Sequence, residues 1–221
     1  GTPGVVNAFF QAIQAFTDPG DAVIVQTPVY YPFYAAVEGN RRVLLKNPLL
    51  YTDNTYLIDF DDLEKKAGDP RTKILLFCSP HNPVGRVWTR EELTRVGEIC
   101  LANDILIISD EIHFDLIMPG FKHTVFADLS AELTQKIVVC TAPSKTFNLA
   151  GMQTSNIIIP NKELRKRFTA QMAANGIFSL NILGYKACKI AYTECEEWLD
   201  QLILHIYHNH LQLKEYIAGK I

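Results

Sequence analysis

A chain of 221 residues with 48% hydrophobic and 20% charged content carries enough apolar material for one sizeable core and has the make-up of an ordinary globular protein. A formal net charge of -3, with 21 basic residues in no run longer than Arg41-Arg42 or Lys65-Lys66, leaves no electrostatic footprint for nucleic acid. Five cysteines, odd in number and without a C-x-x-C pair, argue against a disulfide framework or thiolate zinc, and no apolar run approaches the ~20 residues of a membrane span.

The cysteines Cys78, Cys100, Cys140, Cys188 and Cys195 lie mostly inside apolar runs and read as reduced residues of a cytosolic protein. The opening Gly1-Thr2-Pro3-Gly4 has no methionine and no signal-peptide pattern, so the sequence reads as a fragment. Val5 to Phe16 has apolar residues at helical spacing and stops at Thr17-Asp18-Pro19-Gly20, so a first helix is expected directly after Pro3-Gly4. Ala22 to Val25 is a short buried strand, followed by an aromatic loop through Val29, Tyr30, Tyr31, Pro32, Phe33 and Tyr34.

Val43 to Leu45 reads as a second strand, and Asn47 to Asp61 as mostly loop leading into a short helix over 60–67. Lys73 to Cys78 is apolar without alternation, as expected of a strand covered on both faces, and runs into the polar turn Ser79 to Gly85. Thr89 with Glu92 forms a capping box for a crossover helix whose buried stripe is Leu93, Val96, Ile99 and Cys100. Ile105 to Ile108 is the next buried strand, closing on Ser109-Asp110-Glu111. A weak helix near Ala131 precedes the strand Ile137 to Cys140 and the turn Thr141 to Gln153 that carries Lys145.

Asn156 to Ile159 is one more apolar run, and the remainder is helical over 164–172, 183–192 and 196–217. Strand, turn, helix, strand repeated with helical crossovers predicts an α/β three-layer sandwich, with about six or seven mostly parallel strands and one antiparallel. Residues 1–192 are expected to form this sheet domain, and 193–221 a long helix leading away from it. In such sheets ligands bind beyond the carboxyl ends of the strands.

Four strand ends contribute Tyr30, Asn82, Asp110 and Lys145, joined by the helix start at Gly4, Val5 and Val6. Together these types suit pyridoxal 5'-phosphate. A lysine amine condenses with its aldehyde, and a carboxylate facing the pyridine nitrogen keeps that nitrogen protonated, so the ring withdraws electrons. An amide hydrogen-bonds the phenolic oxygen, an aromatic covers the ring, and free N–H groups at a helix start hold phosphate.

The segments TPVYYPF, CSPHNPVGRVW, SDEIHFDL, TAPSKTFNLAGMQTSNIIIPN and EEWLDQL resemble, in content and spacing, the class I/II aminotransferase superfamily of fold type I. Within it they are most similar to the MalY/PatB branch of cystathionine β-lyases. The resemblance implies Lys145 as the Schiff-base lysine, Asp110 on the pyridine nitrogen, Asn82 on the phenolic oxygen, Tyr30 stacked on the ring, and Gly4, Val5 and Val6 on the phosphate. It implies His113 where many aminotransferases have a tyrosine. Gln153 and Ala142 stand where the superfamily commonly has arginine and serine, which puts the phosphate on the helix start and on Ser144 or Thr141. Proteins of this kind are longer, with a small C-terminal domain carrying a carboxylate-binding arginine and an N-terminal segment that reaches the partner's site. The resemblance implies a cytoplasmic homodimer for the full-length protein.

Each residue also has a plainer use. Asp110 could cap a helix and Asn82 could precede a turn proline, yet their joint occurrence at strand ends favours a site. His113 competes with a buried structural histidine, and Tyr30 competes with Tyr31 and Tyr34 for the stacking role. His205, His208 and His210 have helical spacing but no acidic or cysteine partners, so they read as a solvated face rather than a metal site. Trp198 reads as packing. The expected activity is carbon-sulfur β-elimination from cystathionine or a cysteine conjugate. An aminotransferase is the alternative, and a regulatory or catalytically incomplete protein that keeps the fold is a second one.

Overall fold

In a computed structural model that describes residues 1–220, six strands form one sheet in the order β2-β1-β5-β6-β7-β8. They are β1 (Ala22–Thr27), β2 (Val43–Pro48), β5 (Thr72–Cys78), β6 (Leu106–Asp110), β7 (Ile137–Thr141) and β8 (Asn156–Ile158). All neighbouring pairs are parallel except β7 with β8. Two short strands, β3 (Leu50–Thr52) and β4 (Thr55–Leu57), pair as a separate antiparallel hairpin.

Alternate side chains of each strand point to opposite faces, and the core divides accordingly. One face carries Val23, Val25, Ile74, Leu76, Leu106, Ile108 and Val138 against α1 (Val5–Phe16), α2 (Pro32–Gly39) and α7 (Lys162–Ala174). The other carries Ile24, Leu75, Phe77, Ile107, Ile137 and Val139 against α3 (Phe60–Ala67), α4 (Arg90–Ala102) and α5 (Ala131–Thr134). This is the expected three-layer arrangement. The Thr89 capping box is present: Glu92 N–H reaches Thr89 Oγ1 at 3.2 Å, and Thr89 N–H reaches Glu92 Oε2 at 2.8 Å.

Three features depart from the sequence reading. The aromatic loop ends sooner than expected, because Pro32 opens α2 with its φ already suited to a first helical position. The stretch 47–61 holds the β3–β4 hairpin, whose Leu50 and Tyr51 are exposed and so lack an inward-outward alternation. Its turn is built on Asp53 and Asn54, both at positive φ, which short polar side chains tolerate best. The turn after β7 is itself one turn of helix, α6 (Pro143–Thr146). Beyond it lie α8 (Ile182–Glu194) and α9 (Glu196–Ala218). No helix of the described residues is long and apolar enough to cross a membrane.

Candidate active site

The ladder sets the centre of the site. Cys78 of β5 stands opposite Asp110 of β6, and Asp110 opposite Cys140 of β7, so the three lie abreast on the face covered by α1. Two residues beyond Cys140, on the same face, Ala142 precedes α6, and α6 presents Lys145. The other wall is the start of α1. There Gly4 is the N-cap at φ 92° and ψ 156°, a conformation all but reserved for glycine, and no side chain caps the helix. The first N–H groups of α1 are thus left to face a ligand.

What joins these walls is a pairing 153 residues long. Thr2 and Ser155 form an antiparallel bridge, with Thr2 N–H to Ser155 O at 3.3 Å and Ser155 N–H to Thr2 O at 3.1 Å, and their buried hydroxyls lie 2.6 Å apart. This draws the Gly4 turn against the segment that follows Lys145. Opposite, Tyr30 N–H bonds Asn82 O at 3.1 Å, which joins the loop after β1 to the turn after β5. The Asn82 turn is closed by His81 N–H to Arg86 O and Gly85 N–H to His81 O, each 2.8 Å. It is held from below by Trp88 Nε1–H to Cys78 O at 2.9 Å.

The result is a cavity of about 290 Å³ lined by Gly4, Val5, Val6, Tyr30, Asn82, Asp110, His113, Ser144 and Lys145, among others. Every residue expected at the site is therefore brought together, with two refinements. Thr141 is not on the wall: it lies one residue beyond Cys140 in β7, so strand alternation turns it to the opposite face. Tyr31 is 75% exposed and Tyr34 packs on the core beside Lys46, which leaves Tyr30 as the aromatic on the cavity.

Phe9, Cys78, Ile112, Ala150, Gln153 and Thr154 also line the cavity and were not among the expected site residues. Cys78 was legible as the last residue of a buried strand. Phe9 was legible one turn after Val5. Gln153 was singled out in the sequence only by its distance from Lys145; Thr154 is held at the wall beside the Thr2–Ser155 bridge, which leaves no local signal in the sequence.

Asp110 dominates the electrostatics. It is buried, and burial pushes its carboxyl up to about 7; the neighbouring Glu111 acts in the same direction, while the Ile112 N–H on Oδ1 at 3.2 Å and the Lys145 charge oppose it. Among the described residues no cation pairs with it within 4.0 Å. An acid so placed is matched by an N–H cation arriving from the cavity. Burial, and then the Lys145 charge, lower the His113 pKa, which favours the neutral ring. Burial raises the Tyr30 hydroxyl, with Tyr31 and Asp110 adding to it. No cluster of three or more candidate metal ligands occurs among the described residues. His205, His208 and His210 stand exposed along α9.

A lysine on a one-turn helix beyond a parallel strand, facing a buried aspartate on the adjacent strand, is the arrangement of class I and II aminotransferases. The sequence profile of that family, aminotransferase class I and II, matches residues 1–215, and the chain belongs to it. It is 48% identical over 220 residues to cystathionine beta-lyase PatB of Bacillus subtilis (strain 168), covering 100% of this chain and 57% of that protein. It is 33% identical over 201 residues to aspartate aminotransferase of Geobacillus stearothermophilus, covering 90% and 50%. The solved structure of cystalysin from Treponema denticola, which contains a pyridoxal 5'-phosphate cofactor, superposes with a TM-score of 0.96 at 51% identity, over 98% of this chain and 55% of that one. The chain spans about half the length of the curated relatives it matches.

Proposed function

We propose that this chain is the cofactor-binding part of a pyridoxal-phosphate-dependent carbon-sulfur β-lyase that releases pyruvate, ammonia and a thiol from cystathionine or a cysteine conjugate. The observation that carries the cofactor part of this reading is Asp110, buried and with no cation paired to it among the described residues, facing the same cavity as Lys145. The residues present fit the cofactor: a buried acid for a protonated pyridine nitrogen, a primary amine for an aldehyde, and an uncapped helix start for a phosphate.

Asp110 would hold the pyridine nitrogen, Lys145 the aldehyde carbon, and Asn82 with His113 the phenolic oxygen. Tyr30 would cover the ring, while Gly4, Val5, Val6 and Ser144 would hold the phosphate, with Gln153 beside them. Bound there, the cofactor supplies an electron sink for a carbanion next to the substrate amine. Lys145, on the cavity wall, would serve as the base that takes the substrate Cα proton. Asp110 would keep the pyridine nitrogen protonated, and Phe9 and Ile112 add apolar surface to the same cavity.

The likeness to PatB favours the lyase outcome, and the likeness to aspartate aminotransferase favours transamination as the second reading. Incubating the protein at its natural length with cystathionine and no keto acid separates them. Pyruvate and a thiol in the wild type, and neither in Lys145→Ala, is the expected result; turnover only after a keto acid is added would sink the lyase reading. We further propose a cytoplasmic homodimer. The exposed side chains of Phe178, Ile182, Leu183 and Tyr185 supply apolar surface for pairing. In α9 no residue is buried, which suits it as a helix leading from the cofactor domain toward a smaller one; it begins at Glu196 rather than at 193, because α8 runs on to Glu194.

A further inference from the structure

Lys145 sits in the last turn of a helix only four residues long. One helical turn does not hold itself, because nucleation fixes several residues for a single hydrogen bond. Its own backbone closes through Phe147 N–H to Pro143 O at 2.9 Å and Leu149 N–H to Ser144 O at 3.0 Å, which sets its shape but not its placement. Placement comes from its buried residues, Pro143 at its start and Thr146 at its end. Successive helical side chains point about 100° apart, so while Lys145 is exposed Thr146 is fully buried, and its Oγ1–H donates to Asp115 Oδ2 at 2.9 Å.

Asp115 stands five residues after Asp110, on the segment that also carries His113. The bond therefore ties the acid-bearing and lysine-bearing segments together beyond the point where the β6–β7 ladder ends at Asp110 and Cys140. A second brace meets the same atom. The Tyr192 hydroxyl of α8 lies 3.5 Å from Asp115 Oδ2, and the Tyr192 ring meets Phe147 edge-on at 5.3 Å, with Trp198 of α9 5.9 Å from Phe147.

We propose that Asp115, acting through Thr146, is a positioning residue that fixes the Lys145 amine relative to Asp110 and His113. Asp115 touches neither cavity nor cofactor position; it works by holding the turn. A hydrogen bond to a carboxylate is stronger than one between neutral groups, so the choice of an acid here rather than an amide has a reason. The inference rests on the reading of Lys145 as the cofactor lysine, and its test has one arm that needs no cofactor.

In the protein at its natural length, Lys145 acylation is followed against pH by competitive labelling and mass spectrometry, without cofactor, for Thr146→Val, Thr146→Ser, Asp115→Ala and the wild type. In parallel, pyridoxal phosphate affinity is measured by absorbance. Thr146→Val and Asp115→Ala are expected to keep a cooperative melting transition, to shift the Lys145 labelling profile, and to bind the cofactor about tenfold more weakly, equivalent to one lost hydrogen bond to a charged group. Thr146→Ser, which keeps the donor, is expected to restore both readouts to within about twofold. Wild-type labelling and affinity in Thr146→Val and Asp115→Ala would overturn the proposal. So would loss of the melting transition, since the bond would then serve the fold and not the lysine. A shifted labelling profile in a protein that binds no cofactor even as wild type would leave the tie standing and remove the cofactor reading.

Discussion

At the scale of single residues, the acid at the end of β6 and the histidine after β5 make opposite demands on pH. Asp110 titrates near 7 in the fold against an ordinary 3.8, so between those values the folded state holds more proton and stability falls as pH rises. His81, pushed down to about 4 by burial against an ordinary 6.5, gives stability that rises with pH across that lower window. The two oppose each other in the whole curve, and Asp110→Asn removes only the falling one. Without cofactor, the stability of Asp110→Asn relative to wild type is therefore expected to climb between about pH 4 and about pH 7.5, by on the order of 2–4 kcal/mol. Thermal melts at several pH values check it, and a difference that stays constant with pH would refute the buried, cation-less state of Asp110.

At the scale of elements, the cavity depends on two glycines, one for its backbone conformation and one for a close approach. Gly4 starts α1 at φ 92° with open space where a Cβ would stand, so Gly4→Ala meets conformational strain without a clash. Urea unfolding is expected to show a loss of roughly 1–3 kcal/mol, together with weaker phosphate binding, because the turn must rearrange the N–H groups it presents. Gly184 in α8 is the reverse case. A Cβ there would overlap Thr154 Oγ1 and stand 2.6 Å from Met152 O, so Gly184→Ala is expected to lose roughly 1–3 kcal/mol by overpacking and to displace Gln153 and Thr154 from the cavity wall. A neutral Gly184→Ala would mean that α8 does not press on the site. The parallel strands were legible because Lys73 to Cys78 and Ile137 to Cys140 are apolar without alternation, which only a doubly covered strand needs. The capping box fixed the start of α4 for a similarly local reason. The β3–β4 hairpin was hidden because Leu50 and Tyr51 face solvent, and α2 because its eight residues begin within an aromatic run. The Thr2–Ser155 bridge, which closes the site, and the Asp115–Thr146 bond, which braces it, join residues 153 and 31 apart and leave no periodic trace.

At the scale of the whole molecule, most of the large apolar side chains left exposed lie on the last two helices and the segment before them. They include Phe178 at 81%, Leu183, Tyr185, Leu213 and Tyr216. Exposed apolar surface of this extent marks association sites. The 221-residue chain by itself is expected to elute in size-exclusion chromatography above its 24.9 kDa mass and to bind a hydrophobic dye, and a monomeric, dye-silent chain would contradict that. The same long-range closure that leaves those helices outside gathers four strand ends and one helix start around a single amine, and the functional reading stands on that amine. Reduction of the protein with borohydride in the presence of pyridoxal phosphate, followed by peptide mass spectrometry, tests it most directly. The expected result is a pyridoxyl-phosphate adduct on the peptide containing Lys145, absent in Lys145→Ala; an adduct on other lysines at equal yield, or none, would contradict it.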